Sequence, residues 1–372
     1  MQLLEGLEAR VLFHLPGSPS RFSRVFGWAA LNCVLQNACL AGQRVQLVLR
    51  GDAISVDRYT SYRPTGIRGG AIGSLLAPEL SAHLRKGATL VINALEEVSA
   101  RVREFVEVIE RAAHAPAQAN LYAGWQTAPG FRLHRDGHDV LVLQLAGSKR
   151  WSIYRPGSQP PEGATPEWEG VLTDGDLLFL PSGWWHVAVP EETPSMHVTV
   201  GIASPGGADM AAWFARRVAG AYPESAGPTG WVPNFEAVVA SLSSLAQGPP
   251  GEPLRRYRAD ADAASPFRAR FNLPWAAMEN PTLPPSGSVR WVPSRFVIRD
   301  EPAGGFCLAC AGREWHFANE AHAMLEMLTD GRRHAIASAL DASGAGTEGP
   351  AASMLLELAS DGIIELTGEA VP

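Results

Sequence analysis

Apolar positions along the chain change their period twice, and the changes divide it. In SARVREFVEVIERAA (99–113), Val102, Phe105, Val106, Val108 and Ile109 recur at helical spacing and predict an amphipathic helix. RFSRVFGWAALNCVLQNACL (21–40) also reads as helix, whereas RVQLVLRGD and ATLVINAL read as strands. From 119 to 203 the runs shorten to ANLYAGW, DVLVLQLAG, KRWSIYRP, GDLLFLPSG, WWHVAVP and MHVTVGIAS, broken by Gly and Pro turns. Such a series predicts an antiparallel barrel or double-sheet jelly roll. After SPGG (204–207), ADMAAWFARRVAGAY and FEAVVASLSSLAQ return to a helical period. PPSGS (284–288) reads as a linker. Beyond it SRFVIRD, GFCLACA and REWHFA predict strands, ANEAHAMLEMLTDG and PAASMLLELASDG helices, and GIIELTG a last strand, an order compatible with a small winged-helix domain.

At 372 residues, 46% of them hydrophobic, the chain is long enough for two or three domains with separate cores. No run of 18 apolar residues occurs, so no membrane span is expected, and the N-terminal stretch has no basic region ahead of an apolar one, as a signal peptide would. A net charge of −7 argues against nucleic acid held by charge alone. Within 281–372 six arginines face twelve acids, the wrong sign for DNA and a suitable one for a basic protein or peptide. Four cysteines (Cys33, Cys39, Cys307, Cys310) make no disulfide framework, and a reducing cytoplasm is the expected compartment. Cys307 and Cys310 form a single CxxC. It reads either as a zinc site completed by His316 and His322 or as small apolar strand residues.

The chemistry concentrates in HRDGHDVLVLQLAGSKRW (134–151). HRD is no kinase loop: the position five after Asp136 is Leu141, not Asn, and no glycine-rich phosphate loop accompanies it. His134 and Asp136, two apart on a strand, point to the same face and make a chelating pair. GDLLFLPSGWWH (175–186) offers a third donor, His186, directly after a tight turn. Two histidines and one carboxylate are the facial set of non-haem Fe(II) oxygenases, with open positions for co-substrate and O2. His138 shares the strand face and stays an alternative ligand or a substrate-side residue. Lys149, one of only two lysines among 31 basic residues, competes with Arg150 for the role of buried cation.

NLY (120–122), HRDGHDVLVLQLAGSKRW, GDLLFLPSGWWH and MHVT (196–199), with the upstream GATLVINALEEV (87–98), together resemble the JmjC-type cupin oxygenases, most closely their bacterial ribosomal-oxygenase branch. The resemblance implies a mainly β fold with helices. A double-stranded β-helix of the cupin type would span 1–204, a helical dimerisation region 205–283 and a winged-helix-like domain 284–372. It implies Fe(II) held by His134, Asp136 and His186, with 2-oxoglutarate and O2 as co-substrates. Lys149 would pair with the distal carboxylate of 2-oxoglutarate, and Asn120, Tyr122, His197 and Thr199 would line the same pocket. No catalytic residue is implied beyond the metal ligands.

The implied activity is hydroxylation of an amino-acid side chain in a protein or peptide, Arg or His of ribosomal proteins in the family's characterised members, by a homodimer. A precursor peptide of natural-product biosynthesis is the alternative substrate, and a non-catalytic cupin-fold binding protein the alternative function. Departures from the family lie around the expected mouth. AGWQTAPGFRLH lacks a GSQG-like run before His134, and Arg135 replaces an aromatic, which makes it, with His138, a substrate-side candidate. The 52-residue interval from His134 to His186 is shorter than usual.

Overall fold

The computed structural model describes residues 6, 9–36, 44–64, 71–127, 129–220, 231–247, 249, 251–284, 286–302, 304–344 and 349–368. They form two compact units, 1–204 and 205–372.

The first unit contains strands β1 (Phe13–Leu15), β2 (Val45–Leu49), β3 (Asp52–Ala53), β4 (Thr60–Pro64), β5 (Ala71–Leu75), β6 (Thr89–Ile92), β7 (Ala117–Gly124), β8 (His134–Arg135), β9 (Asp139–Tyr154), β10 (Trp168–Leu172), β11 (Leu177–Leu180) and β12 (Trp185–Ile202). β4 and β5 form a separate hairpin; the others make one ten-stranded sheet in the order β1-β11-β9-β12-β7-β6-β2-β3, with β10 on β9 and β8 on β12. All pairings are antiparallel, as the short turn-separated runs predict.

β9 and β12 are the long members, and their mutual register slips between Pro190 and His197. Gly147 sits at this bulge with φ +60, and a Cβ there would come within 2.6 Å of the Pro194 carbonyl oxygen, so the backbone accepts only glycine. The slip changes which face each half presents. Before it, Val140 lines the interior; after it, Lys149 and Trp151 do, although nine or eleven residues on an unbroken strand would put them on the opposite side. β12 behaves alike: His186 and Ala188 face inward in its first half, His197 and Thr199 in its second.

The helix Ala100–Ala113 buries Val102, Val106 and Ile109 but leaves Val108 60% exposed, because two residues beyond Val106 the helix has turned to its far side. Two buried carboxylates fasten this region to β7: Glu96 Oε2 accepts the Ala119 N–H at 2.9 Å and Glu110 Oε1 the Ala117 N–H at 3.1 Å. The expected helix 21–40 forms only over Trp28–Leu35, after turns at 19–25 and the extended Gly27; positions 37–40, with Cys39, lie outside the described residues. A helix Ala77–Arg85, started by Pro78, was not expected from the pattern.

In the second unit the helices Gly207–Gly220 and Trp231–Ala246 form where the period indicates, and a third, Glu252–Ala264, follows them. Its sequence is too polar to read as amphipathic, and distant groups hold it: Asp262 pairs with Arg295 at 2.7 Å, both buried, and Asp260 accepts from Trp213 and Arg217. Strands β13 (Ser288–Trp291), β14 (Val297–Asp300), β15 (Phe306–Cys310), β16 (Arg313–Phe317), β17 (Arg333–Ala335) and β18 (Ile364–Thr367) make two three-stranded sheets, β17-β13-β18 and β14-β15-β16. The expected linker 284–288 is thus already entering β13 at Ser288. Helices His322–Leu328, Ile336–Ala342 and Pro350–Ser360 pack Met324, Leu340 and Leu355 against Trp291, Phe306 and Leu308. Among the described residues no helix is long and apolar enough to cross a membrane.

Candidate metal centre and co-substrate cavity

Antiparallel pairing of β8 with β12 puts His134 directly opposite His186. Asp136 follows in the turn, and its carbonyl accepts the Gly183 N–H at 2.9 Å, which holds the Pro181–Trp184 turn close to it. The buried Asp139 secures the same turn, accepting the Ser182 N–H at 2.7 Å and pairing with Arg10 at 3.0 Å.

The ligand atoms of His134, Asp136 and His186 all lie within 4.8 Å of one another. His134 Nδ1 donates to the Arg132 carbonyl at 2.8 Å and His186 Nδ1 to the Trp184 carbonyl at 3.1 Å. Each ring is therefore held in the tautomer that leaves Nε2 as a lone-pair donor. His186 Nε2 is 3.6 Å from Asp136 Oδ2. Burial, and next the neighbouring His134, push the His186 imidazole below its usual pKa, which keeps it neutral and ready to ligate. Two imidazoles and a carboxylate in this arrangement suit a divalent transition metal.

The three donors open onto a cavity of about 310 Å³ that Asn120, Tyr122, His138, Lys149, His197 and Thr199 also line. At its inner end Lys149 Nζ donates to His197 Nδ1 at 2.8 Å. Burial alone lowers the ammonium to about 7, and no carboxylate lies within ion-pair reach of it among the described residues. His197 is pushed well below its usual value, first by burial and then by Lys149, so it accepts as a neutral ring. It stacks on Tyr122, with ring centroids 5.0 Å apart and planes 10° apart. Burial first and the Asp136 charge second raise the Tyr122 phenol, which thereby stays a hydrogen-bond donor. Asn120 Oδ1 is engaged by the Ala94 and Gln118 N–H groups, each at 3.1 Å.

Arg150, the competing cation, is exposed and paired with Glu169 and Glu191. His138 lies over Gly201, where any Cβ would meet its Nε2 at 2.6 Å, and stands outside the cluster of three donors. Arg135 does not line the cavity. Its guanidinium lies over the Trp185 ring, 5.1 Å from the centroid, and both side chains donate to the Gly157 carbonyl. Trp184 packs partly buried against the inner core.

Sequence reasoning missed Thr89, Phe131 and Trp151 in the wall. Trp151 was within reach, since it stands two residues after Lys149 on the same strand face. Its Nε1 is buried with no hydrogen-bond partner among the described residues, so a ligand acceptor would fill an open valence there.

The fold is a cupin-type double-stranded β-helix, and its mouth carries a two-histidine, one-carboxylate donor set. Residues 95–210 match the family model of the JmjC domain. Over 139 residues the chain is 31% identical to the bifunctional lysine-specific demethylase and histidyl-hydroxylase NO66 of Drosophila persimilis, which covers 34% of this chain and 20% of that protein. It is 28% identical over 195 residues to ribosomal oxygenase 1 of Bos taurus, covering 49% of this chain and 28% of that protein. The chain thus spans less than a third of the length of either relative. The ribosomal oxygenase YcfD of Escherichia coli, solved with cobalt and 2-oxoglutarate, shares the fold over 99% of both chains, with a TM-score of 0.59 and 15% identity.

Proposed function

We propose that the chain is an Fe(II)- and 2-oxoglutarate-dependent dioxygenase that hydroxylates an amino-acid side chain of a protein or peptide. The observation that carries this reading is the buried, anion-free Lys149 inside the same cavity that holds the two-histidine, one-aspartate set. A buried cation without a counter-charge is costly unless a ligand supplies one, and the distal carboxylate of 2-oxoglutarate has that charge. His134 and His186, through Nε2, and Asp136 would hold the iron. When bound, iron supplies the chemistry that couples oxidation of 2-oxoglutarate to succinate and CO2 with insertion of oxygen into a substrate C–H bond. Lys149, with Tyr122 and Thr199 beside it, orients the co-substrate, and Trp151 and the apolar wall exclude water.

Relatives named as a lysine-specific demethylase and histidyl-hydroxylase and as a ribosomal oxygenase support a macromolecular substrate. The excess of acids within 281–372 favours a basic one, such as an Arg- or His-bearing ribosomal protein or precursor peptide segment, docked on the second unit. The helix Trp231–Ala246 leaves Phe235, Val238, Val239 and Leu242 exposed, and this apolar stripe supports a homodimer contact.

Anaerobic addition of Fe(II) and then 2-oxoglutarate tests the reading. A weak visible charge-transfer band that vanishes in His134→Ala, with succinate formed under air, is expected. No band and no succinate would leave only a cupin-fold binding protein.

A further inference from the structure

The CxxC motif divides between two faces of one strand. Cys310 points into the core of the second unit, while Cys307, three residues earlier on β15, points the other way. His322, the more distant candidate ligand, lies edge-on to Phe306 with ring centroids 5.4 Å apart. Neither Cys310 nor His322 can join Cys307.

Strand register assembles a different set. Cys307 pairs directly with His316 on β16, and Glu301, just beyond β14, reaches His316 Nδ1 with its Oε1 at 2.7 Å. One sulfur, one imidazole nitrogen and one carboxylate oxygen, each from a different strand or its end, all lie within 4.8 Å of one another. We propose that Glu301, Cys307 and His316 form a second metal site, for a borderline-soft divalent ion such as Zn2+, independent of the centre in the first unit.

The chemistry of the donors supports this class of ion. Thiolate, imidazole and carboxylate together are a zinc-like set, with a fourth position left for water, whereas hard cations would seek oxygen alone. The local charge is unbalanced in the same sense. Glu314, opposite Ala309 on the neighbouring strand, adds a second carboxylate to the same stretch of the sheet. Arg299 is the cation beside Cys307 on the sheet, but it stands 3.9 Å from both Asp260 and Glu314 and is shared between them. A divalent ion would supply the missing positive charge and convert the thiol into a ligand with release of its proton. It would also tie β14, β15 and β16 together across their hydrogen bonds.

Cobalt titration of the full-length, reduced protein under anaerobic conditions tests the site. The centre in the first unit has no sulfur ligand, so a near-ultraviolet thiolate-to-cobalt charge-transfer band separates the two centres, and its loss in Cys307→Ser separates Cys307 from the exposed Cys33. The band should appear in the wild type and in His134→Ala, disappear in Cys307→Ser, and be displaced by zinc. His316→Ala and Glu301→Gln, at accessible positions, should weaken cobalt affinity by about tenfold or more. Absence of the band in the wild type overturns the proposal. So does a band that survives Cys307→Ser, or one whose affinity is unchanged in both His316→Ala and Glu301→Gln. Because the band must survive His134→Ala, its loss is distinguishable from failure of the oxygenase centre.

Discussion

Lys149 Nζ and His197 Nδ1 lie 2.8 Å apart, both side chains are buried, and the lysine reaches that point because the bulge at Gly147 turns it inward. A cation stored beside a neutral imidazole, without an acid, makes the pocket an acceptor for an anion and makes its occupancy visible as proton movement.

With the free ammonium at about 7, Lys149 is largely neutral at pH 8. Arrival of a carboxylate restores the charged form, so 2-oxoglutarate binding at pH 8 takes up about one proton. Calorimetry in two buffers of different ionisation enthalpy reads this directly. Binding with no net proton uptake would remove Lys149 as the anchor.

The same burial has a thermodynamic sign. The folded-state pKa is depressed from 10.5 to about 7, so the penalty of the buried charge is full below pH 7 and fades as pH rises from there toward 10.5. Lys149→Met should therefore stabilise the ligand-free protein at pH 6 by roughly 1–3 kcal/mol, less at pH 9, while eliminating 2-oxoglutarate binding. Urea midpoints at the two pH values, with a binding isotherm, check both halves.

Trp151→Phe removes the unpartnered indole N–H and trims one ring of the bicycle while keeping an aromatic in the wall. If that group completes its valence on the co-substrate, KM for 2-oxoglutarate rises about fivefold to tenfold with kcat nearly unchanged, as for loss of one hydrogen bond. An unchanged KM would make Trp151 a wall residue only.

Glu96→Ala leaves the buried Ala119 N–H without its acceptor at the start of the strand that carries Asn120 and Tyr122. A loss of roughly 1–3 kcal/mol in unfolding free energy is expected. Glu96→Gln, which keeps a side-chain oxygen, should recover most of it.

Val239→Asp places a charge in the exposed stripe of the helix Trp231–Ala246. Light scattering after gel filtration should show the mass falling from dimer to monomer without loss of helix signal. A wild type that is already monomeric would exclude this face as a self-association surface.

The cluster of His134, Asp136 and His186 was legible because each position depends on local rules: alternation for His134 and Asp136, and a turn that delivers His186 to the next strand. Choosing Lys149 over Arg150 was harder, since the bulge that decides between them is set by a cross-strand slip and not by any local pattern. The polar helix Glu252–Ala264 was illegible for a similar reason, its partner Arg295 being far along the chain. Within the CxxC, strand parity already forbade Cys307 and Cys310 from sharing an ion, but the pairing that gives Cys307 its neighbours needed three strands in register.

The bulge at Gly147 also acts as a frame for everything downstream of it. Deleting one residue between Gln144 and Ser148 would leave most of the sequence and the hydrophobic content of β9 intact. It would nonetheless exchange the roles of neighbours, turning Arg150 and Ser152 toward the cavity and Lys149 and Trp151 toward the outside. In this barrel a single-residue deletion would recode the chemistry of the pocket more thoroughly than most substitutions inside it.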